Sequence, residues 1–368
     1  MDVSSFSAVG ATAGAASDLK SRTRVADTSS RITFAATEDL GKGRRAGVYC
    51  ETGINIDTAN ANGPAATANA NTSEWCSREG RAFIGTGIYE LRAGRQNVWW
   101  TQGELNQAGS TFIGSDTATN IINGGVGVYG VRLENMIKVA VTGGQFAGSE
   151  VYTGFMGAAT GEAAAANVDA KGKYQGFKLS YTAGQLVGMI DHQSSKSSPT
   201  ATASSTAIGS NSFDRTATKV GLGFKYTPTS LVSVQMWNKE RTDVTNGAAT
   251  FVQTVTVNNT TAGNAKDSGY ALNVKHDLGG GIMLHGQYAK ANNIKGTTAG
   301  EQANTGATAY TLGATYGLSK RTHLYGSFHK IVNKSAAIYG MTGGNYQSGS
   351  ANAGADTKII AVGMIHNF

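Results

Sequence analysis

The feature that most constrains this chain is a repeated alternation of apolar and polar residues with period two, the pattern of a half-buried β-strand. In Ser29 to Glu38, Ile32, Phe34 and Ala36 fall on one face, and Arg31, Thr33, Ala35 and Thr37 on the other. A tight turn follows at Asp39 to Gly43, and the chain returns with Ala46, Val48 and Cys50 on one face and Arg45, Gly47, Tyr49 and Glu51 opposite. Phe177, Leu179 and Tyr181 repeat the pattern, as do Val220, Leu222 and Phe224, then Tyr310 and Leu312. An alternating strand buries one face only, so a chain made of such strands must close them around something.

The connections alternate in length. Short turns are expected near 39–43, 86–87, 134–136, 183–185, 227–230, 279–281 and 318–321. Long polar loops are expected near 16–28, 54–73, 97–123, 148–172, 195–212, 245–266, 294–307 and 335–355. Short turns on one side and long loops on the other is the layout of an outer-membrane barrel, whose closure leaves no unpaired edge. Seven turns and eight loops join sixteen strands, so the expected fold is an all-β, 16-stranded antiparallel transmembrane β-barrel, one domain over 1–368. Pro64 and Pro199 fall in loops and Pro228 in a turn, none inside a strand.

Composition agrees with this layout. Fifty glycines, three prolines and only 40% hydrophobic residues suit strands with one polar face. The longest apolar run, Ile359 to Ile365, is far short of the roughly 20 residues a membrane helix needs, whereas a barrel strand crosses with about 9–11. The formal charge of +7 is spread singly along the chain, with no basic run, which argues against a nucleic-acid partner. No basic-then-apolar leader opens the sequence, so it reads as a mature form carrying an added Met1. Cys50 and Cys76 are an even pair without a C-x-x-C motif, which fits one disulfide or two free thiols. No H-x-H or H-E-x-x-H spacing offers a metal site, and no G-x-S-x-G element or phosphate loop offers an enzyme.

Four stretches resemble the general porins of Gram-negative bacteria, especially the β-proteobacterial and neisserial type: SRITFAATEDLGKGRRAGVYCETG at Ser30 to Gly53, RAFIGTGIYELRAGRQ at Arg81 to Gln96, YGLSKRTHLY at Tyr316 to Tyr325, and the terminal VGMIHNF. The resemblance implies a homotrimer in which each subunit passes small hydrophilic solutes, surrounded by outer-membrane lipid and lipopolysaccharide. It implies that the third external loop, here about 97–123, folds inward and narrows the channel, and that the second, about 54–73, latches onto a neighbouring subunit. Phe368, with His366, Met364, Val362 and Ile360 on one face, resembles the signal read by the barrel-assembly machinery. The family's Pro-Glu-Phe-Gly-Gly element in the constriction loop is absent.

Strand parity then assigns candidate roles. Arg31, Arg45, Arg78, Arg92 and Arg132 are expected to line the pore, Arg78 on the reading that Phe83 points outward. Glu104 and Asp116 of the inward loop are expected to face them, a layout that favours anions. Trp99 and Trp100 either narrow the pore or pin the loop to the wall. Arg81 and Arg95 have the other parity and are expected at the trimer interface, with Asp57 as a candidate acid. Two other functions fit such a barrel: a substrate-specific channel with an internal binding site, or a receptor or adhesin acting through its surface loops. No cofactor is called for.

Overall fold

The computed structural model describes residues 2–26, 30–54, 75–98, 105, 121–122, 132–156, 172–196, 213–243, 255–256, 259–260, 265–296, 300–301, 303–340 and 352–368. Their strands in chain order begin with β1 (Asp2–Val9), β2 (Leu19–Ala26), β3 (Arg31–Gly41), β4 (Arg44–Gly53), β5 (Glu79–Thr86), β6 (Tyr89–Asn97) and β7 (Arg132–Val141). Next come β8 (Glu150–Met156), β9 (Gly172–Ala183), β10 (Leu186–Lys196), β11 (Phe213–Phe224), β12 (Leu231–Asp243) and the short β13 (Val255–Thr256) and β14 (Asn259–Thr260). The rest are β15 (Ala265–Gly279), β16 (Ile282–Ala291), the short β17 (Lys295–Gly296) and β18 (Gly300–Glu301), β19 (Ala307–Gly317), β20 (Thr322–Asn333) and β21 (Asp356–His366).

Nineteen of these strands belong to one sheet, and β13 and β14 form a separate ribbon. Every pairing is antiparallel; the long strands pair in chain order, with β12 beside β15 and β16 beside β19, apart from the step that brings β21 beside β1. The ladder thus runs from β3 through β21 to β1 and on to β2. Counting reversals along it, β2 and β3 point the same way, with residues 27–30 between them. No ladder joins β2 to β3 among the described residues.

Burial is inverted relative to a water-soluble sheet protein. Leu222, Val362, Leu312, Met236 and Val151 are exposed, while Lys219, Lys239, Arg241, Gln235 and Thr311 are buried. Along β10, exposed Leu186 and Ile190 alternate with buried Asp191, Gln193 and Ser195. A sheet that turns its apolar face outward and its charges inward is stable only with hydrocarbon outside and a polar lumen inside. No helix among the described residues is long and apolar enough to cross a membrane.

The tight turns follow local chemistry. Gly279, Gly280 and Gly281 all adopt positive φ, and β15 passes directly into β16. The short connections expected near 39–43, 183–185 and 279–281 and the long ones near 195–212 and 335–355 fall between strands, whereas 245–266 contains the ribbon of β13 and β14 and the start of β15.

Three expected connections are corrected. The stretch 16–28 is not a loop throughout: Leu19–Ala26 forms β2 and pairs with β1. Its alternation of Lys20, Arg22 and Arg24 with Ser21, Thr23 and Val25 carries few apolar groups, so a hydrophobic pattern search passes over it. The turn expected at 134–136 is also absent. Asn135 takes a left-handed φ of 50° inside β7, and the register with β6 slips between Gly94 and Gln96. An asparagine, which tolerates that conformation, makes an irregularity in the ladder there, and not a reversal. The actual connection is Thr142 to Ser149, so Glu150–Met156, expected at the start of a long loop, is strand β8.

Candidate functional site

The inner wall of β3 to β8 carries a dense cluster of charge. Glu51 on β4 is its hub: Arg78 Nε donates to it at 2.6 Å, Arg31 Nε lies at 3.7 Å and Arg132 Nη2 at 4.0 Å. Glu90 on β6 is a second hub, 2.9 Å from Arg45 and 2.6 Å from Arg92. Arg81 pairs with Glu79, and its guanidinium stacks 4.0 Å above the Tyr49 ring. Lys138, 3% exposed, pairs with Glu150 at 2.8 Å and donates to the Asn97 carbonyl at 2.5 Å. A small cavity of about 110 Å³ opens among Tyr49, Glu79, Arg81, Arg92, Asn97, Lys138 and Glu150.

Seven cations (Arg31, Arg45, Arg78, Arg81, Arg92, Arg132 and Lys138) therefore meet four carboxylates (Glu51, Glu79, Glu90 and Glu150), an excess of three positive charges. Arginine suits this wall because it stays charged whatever its surroundings. Low-dielectric walls confine the field of such a cluster to the lumen.

The structure gathers all five arginines expected in the pore into this cluster, although their partners are wall carboxylates that parity alone did not single out. One signal was available: Glu51 shares the face of Arg45 and Tyr49. Glu104, Asp116, Trp99 and Trp100 lie outside the described residues, as does Asp57.

Arg81 differs from expectation. It lies on the inner face, opposite Tyr49 in the β4–β5 register, and does not face outward. The parity argument failed because it took Phe83 to face lipid. A Cβ on the inward Gly47 would come within 2.7 Å of the Phe83 ring, so Phe83 points inward and Arg81 with it. Arg95 sits at the β6–β7 register slip, and its Nε donates to the Ser77 carbonyl at the foot of the second external loop.

Three described residues of the segment between β6 and β7 reach strands far around the sheet. Leu105 is buried with Val187, Met189 and Leu231 of β10 and β12. Its carbonyl accepts from Ser233 Oγ at 2.7 Å and Gln235 Nε2 at 3.0 Å. A polar chain supports this anchor: Gln287 donates to Asn273, which donates to Ser233. Ile121 and Ile122 are buried in a cluster with Trp237 and the alanines Ala271, Ala289 and Ala309. Small side chains on β15, β16 and β19 leave the room these isoleucines fill.

Cys50 and Cys76 form a disulfide (S–S 2.07 Å) at the two feet of the second external loop. Beside it, on the outer face, Trp75 packs against Phe34 with ring centroids 5.3 Å apart. Phe368 is fully exposed and meets His366 edge to face at 5.1 Å.

An all-antiparallel sheet with an apolar outside and a charged lumen defines a channel-forming protein of the bacterial outer membrane, and comparison with known proteins gives its family. The family model for Gram-negative porins matches residues 4–336, so the chain belongs to the Gram-negative porins, which are channels of the outer membrane and not enzymes. It is 25% identical over 343 residues to outer membrane porin protein 32 of Delftia acidovorans, covering 92% of this chain and 84% of that one. Its fold matches that of the anion-selective porin from Comamonas acidovorans with a TM-score of 0.71 and 22% identity, over 100% of this chain and 97% of the other. The trimeric OmpT of Vibrio cholerae matches with a TM-score of 0.65 and 11% identity, over 100% and 97%.

Proposed function

We propose that this porin is an anion-preferring diffusion channel whose constriction is lined by the arginine cluster of β3 to β7. The observation that carries this reading is the imbalance of seven cations against four carboxylates on one stretch of inner wall. An anion passing the wall meets a net positive field, and a cation is repelled by it. The relative described as anion-selective supports the same sign.

In this reading the channel is a closed barrel of sixteen passes. β2 and β3 are the two halves of one interrupted strand, the first pairing with β1 and the second with β4. Loop 97–123 folds into the lumen, anchored at its root by Lys138 and on the far wall through Leu105 and Ile122. With one side of the lumen filled by that loop, the open path runs along the arginine wall. Glu104 and Asp116 would add negative charge across from it. Three such barrels assemble as a trimer, with Arg95 and Asp57 at the latch of the second external loop, and Phe368 serves as the assembly signal.

The test is the reversal potential of the purified protein in a planar bilayer under a KCl gradient. A potential of the sign set by chloride supports the arginine-lined constriction. Cation preference overturns it and assigns control of the narrow point to carboxylates.

A further inference from the structure

The cavity of about 110 Å³ on the inner wall of β4 to β8 holds polar groups that the charge cluster leaves unused. Lys138 is committed to Glu150 and to the Asn97 carbonyl, Arg92 to Glu90, and one end of Arg81 to Glu79. Three polar atoms of lining residues have no hydrogen-bond partner among the described residues: Arg81 Nε, a donor, and Gln96 Oε1 and Asn97 Oδ1, both acceptors. Gln96 is 1% exposed and Asn97 4%. Gln96 Nε2 donates to the Met136 carbonyl at 3.4 Å, which leaves Oε1 as the free end of the amide. Buried polar groups in native proteins are nearly always paired, so three orphans around one cavity point to a guest that supplies their partners.

The backbone explains why both amides reach this space. In a regular strand, successive residues such as Gln96 and Asn97 point to opposite faces. Here both line the same cavity, because the β6–β7 register slips between Gly94 and Gln96, where Asn135 of β7 takes its left-handed φ. Such irregularities re-aim side chains and recur beside functional sites. The lining then sorts guests by charge. Arg81, Arg92 and Lys138 stand against Glu79 and Glu150, so groups of both signs face one space. A simple anion would answer Arg81 and leave two acceptors bare. A simple cation would meet three fixed positive charges. A hydroxyl brings one donor for two acceptors, whereas an ammonium brings three. Two of these serve Gln96 and Asn97, and the third serves a carboxylate of the lining. A cavity of about 150 Å³ takes a ring of six carbons, so one of about 110 Å³ suits a guest of comparable or smaller size.

We infer that this cavity binds a small zwitterionic amino acid, glycine or alanine, with its carboxylate on Arg81 and Arg92 and its ammonium on Gln96 and Asn97. The inference rests on the reading of this face as the lumen of an open channel, and not on the ion preference of that channel. A zwitterion has no net charge, so the positive field of the wall does not draw it in. A binding cavity on the same wall concentrates it there instead.

The test is a saturation-transfer NMR titration of the purified protein in detergent micelles with alanine, propionate, ethylamine and leucine. Alanine should show saturable binding. Propionate and ethylamine each lack one charged group and should bind more weakly by about tenfold or more, the worth of one hydrogen bond to a charged group. Leucine should be excluded by its size. Gln96→Met/Asn97→Leu, which keeps the side-chain sizes and removes both acceptors, should bind alanine as weakly as the parent binds propionate. Propionate binding equal to that of alanine overturns the inference and leaves a plain anion site. Alanine that does not saturate overturns it too and leaves the cavity to water. Parent-like alanine binding by the double variant shows that the amides are not ligands, and the inference fails. If the double variant does not fold, the ligand series on the parent decides. Planar-bilayer conductance separates this reading from the one beneath it. A conducting channel that fails the ligand series overturns the amino-acid site alone, whereas a protein that does not conduct overturns the open channel as well.

Discussion

Lys239 Nζ donates to the carbonyl of Ile122 at 2.6 Å from within the wall of β12. The same ammonium pairs with Asp267 of β15 at 3.1 Å, and both side chains are almost fully buried. A wall ion pair thus holds the backbone of a segment whose chain leaves the sheet between β6 and β7. Removing one member of a buried pair leaves the other charge uncompensated, at a cost of about 3–5 kcal/mol. Lys239→Met should therefore lower the melting temperature and give a channel with fluctuating, sub-level conductance. Lys239→Met combined with Asp267→Leu should recover much of the melting temperature but not the steady conductance. Quiet single-channel traces from either variant would show that this anchor does not set the opening.

Glu51 balances three arginines at once. Glu51→Gln removes one negative charge among Arg31, Arg78 and Arg132 and keeps the shape. The anion-to-cation permeability ratio should rise, with a larger reversal potential under the same KCl gradient. Arg132→Gln should move it the other way. An unchanged potential in both would put the ion path elsewhere.

The far wall under Leu105 has no spare room. A Cβ at Gly221 would lie 2.5 Å from Leu105 Cδ1, and one at Gly223 would lie 2.7 Å from Cδ2. Gly221→Ala and Gly223→Ala should displace Leu105 and alter single-channel conductance by tens of per cent. Gly188→Ala on neighbouring β10, where nothing lies within 4 Å, is the control and should leave conductance unchanged.

The disulfide between Cys50 and Cys76 closes a separation of 26 residues. The chain-entropy model assigns such a crosslink about 3–4 kcal/mol. Cys50→Ser/Cys76→Ser should melt several degrees lower than the oxidised protein and lose its sensitivity to reductant. The arginine cluster faces the lumen and the bridge lies on the strand face opposite Tyr49 and Glu51, so ion selectivity should not change.

Much of this protein was legible in the sequence because a strand's two faces are set by parity alone. Ile32 and Phe34 outward with Arg31 inward, and Leu222 outward with Lys219 inward, follow from counting residues. The long and short connections follow from where alternation stops. Parity fails where the ladder is irregular, as at Asn135, and where an inward side chain is apolar, as at Phe83. Phe83 packs against Gly47 on the inner face, so an apolar residue there does not mark the lipid face. That single fact places Arg81 on the inner face, opposite Tyr49.

The sequence by itself determined the class of fold, the outward apolar face and the pair of cysteines, because all of these are local or periodic properties of the chain. Only the tertiary structure decided which carboxylates those arginines meet, since Glu51 draws together Arg31, Arg78 and Arg132 from separate segments of the chain. It alone brought Ile122 to Lys239, residues separated by 117 positions. Pairing many strands into one sheet brings together residues far apart in the chain, and no periodicity in the sequence records which of them then face one another.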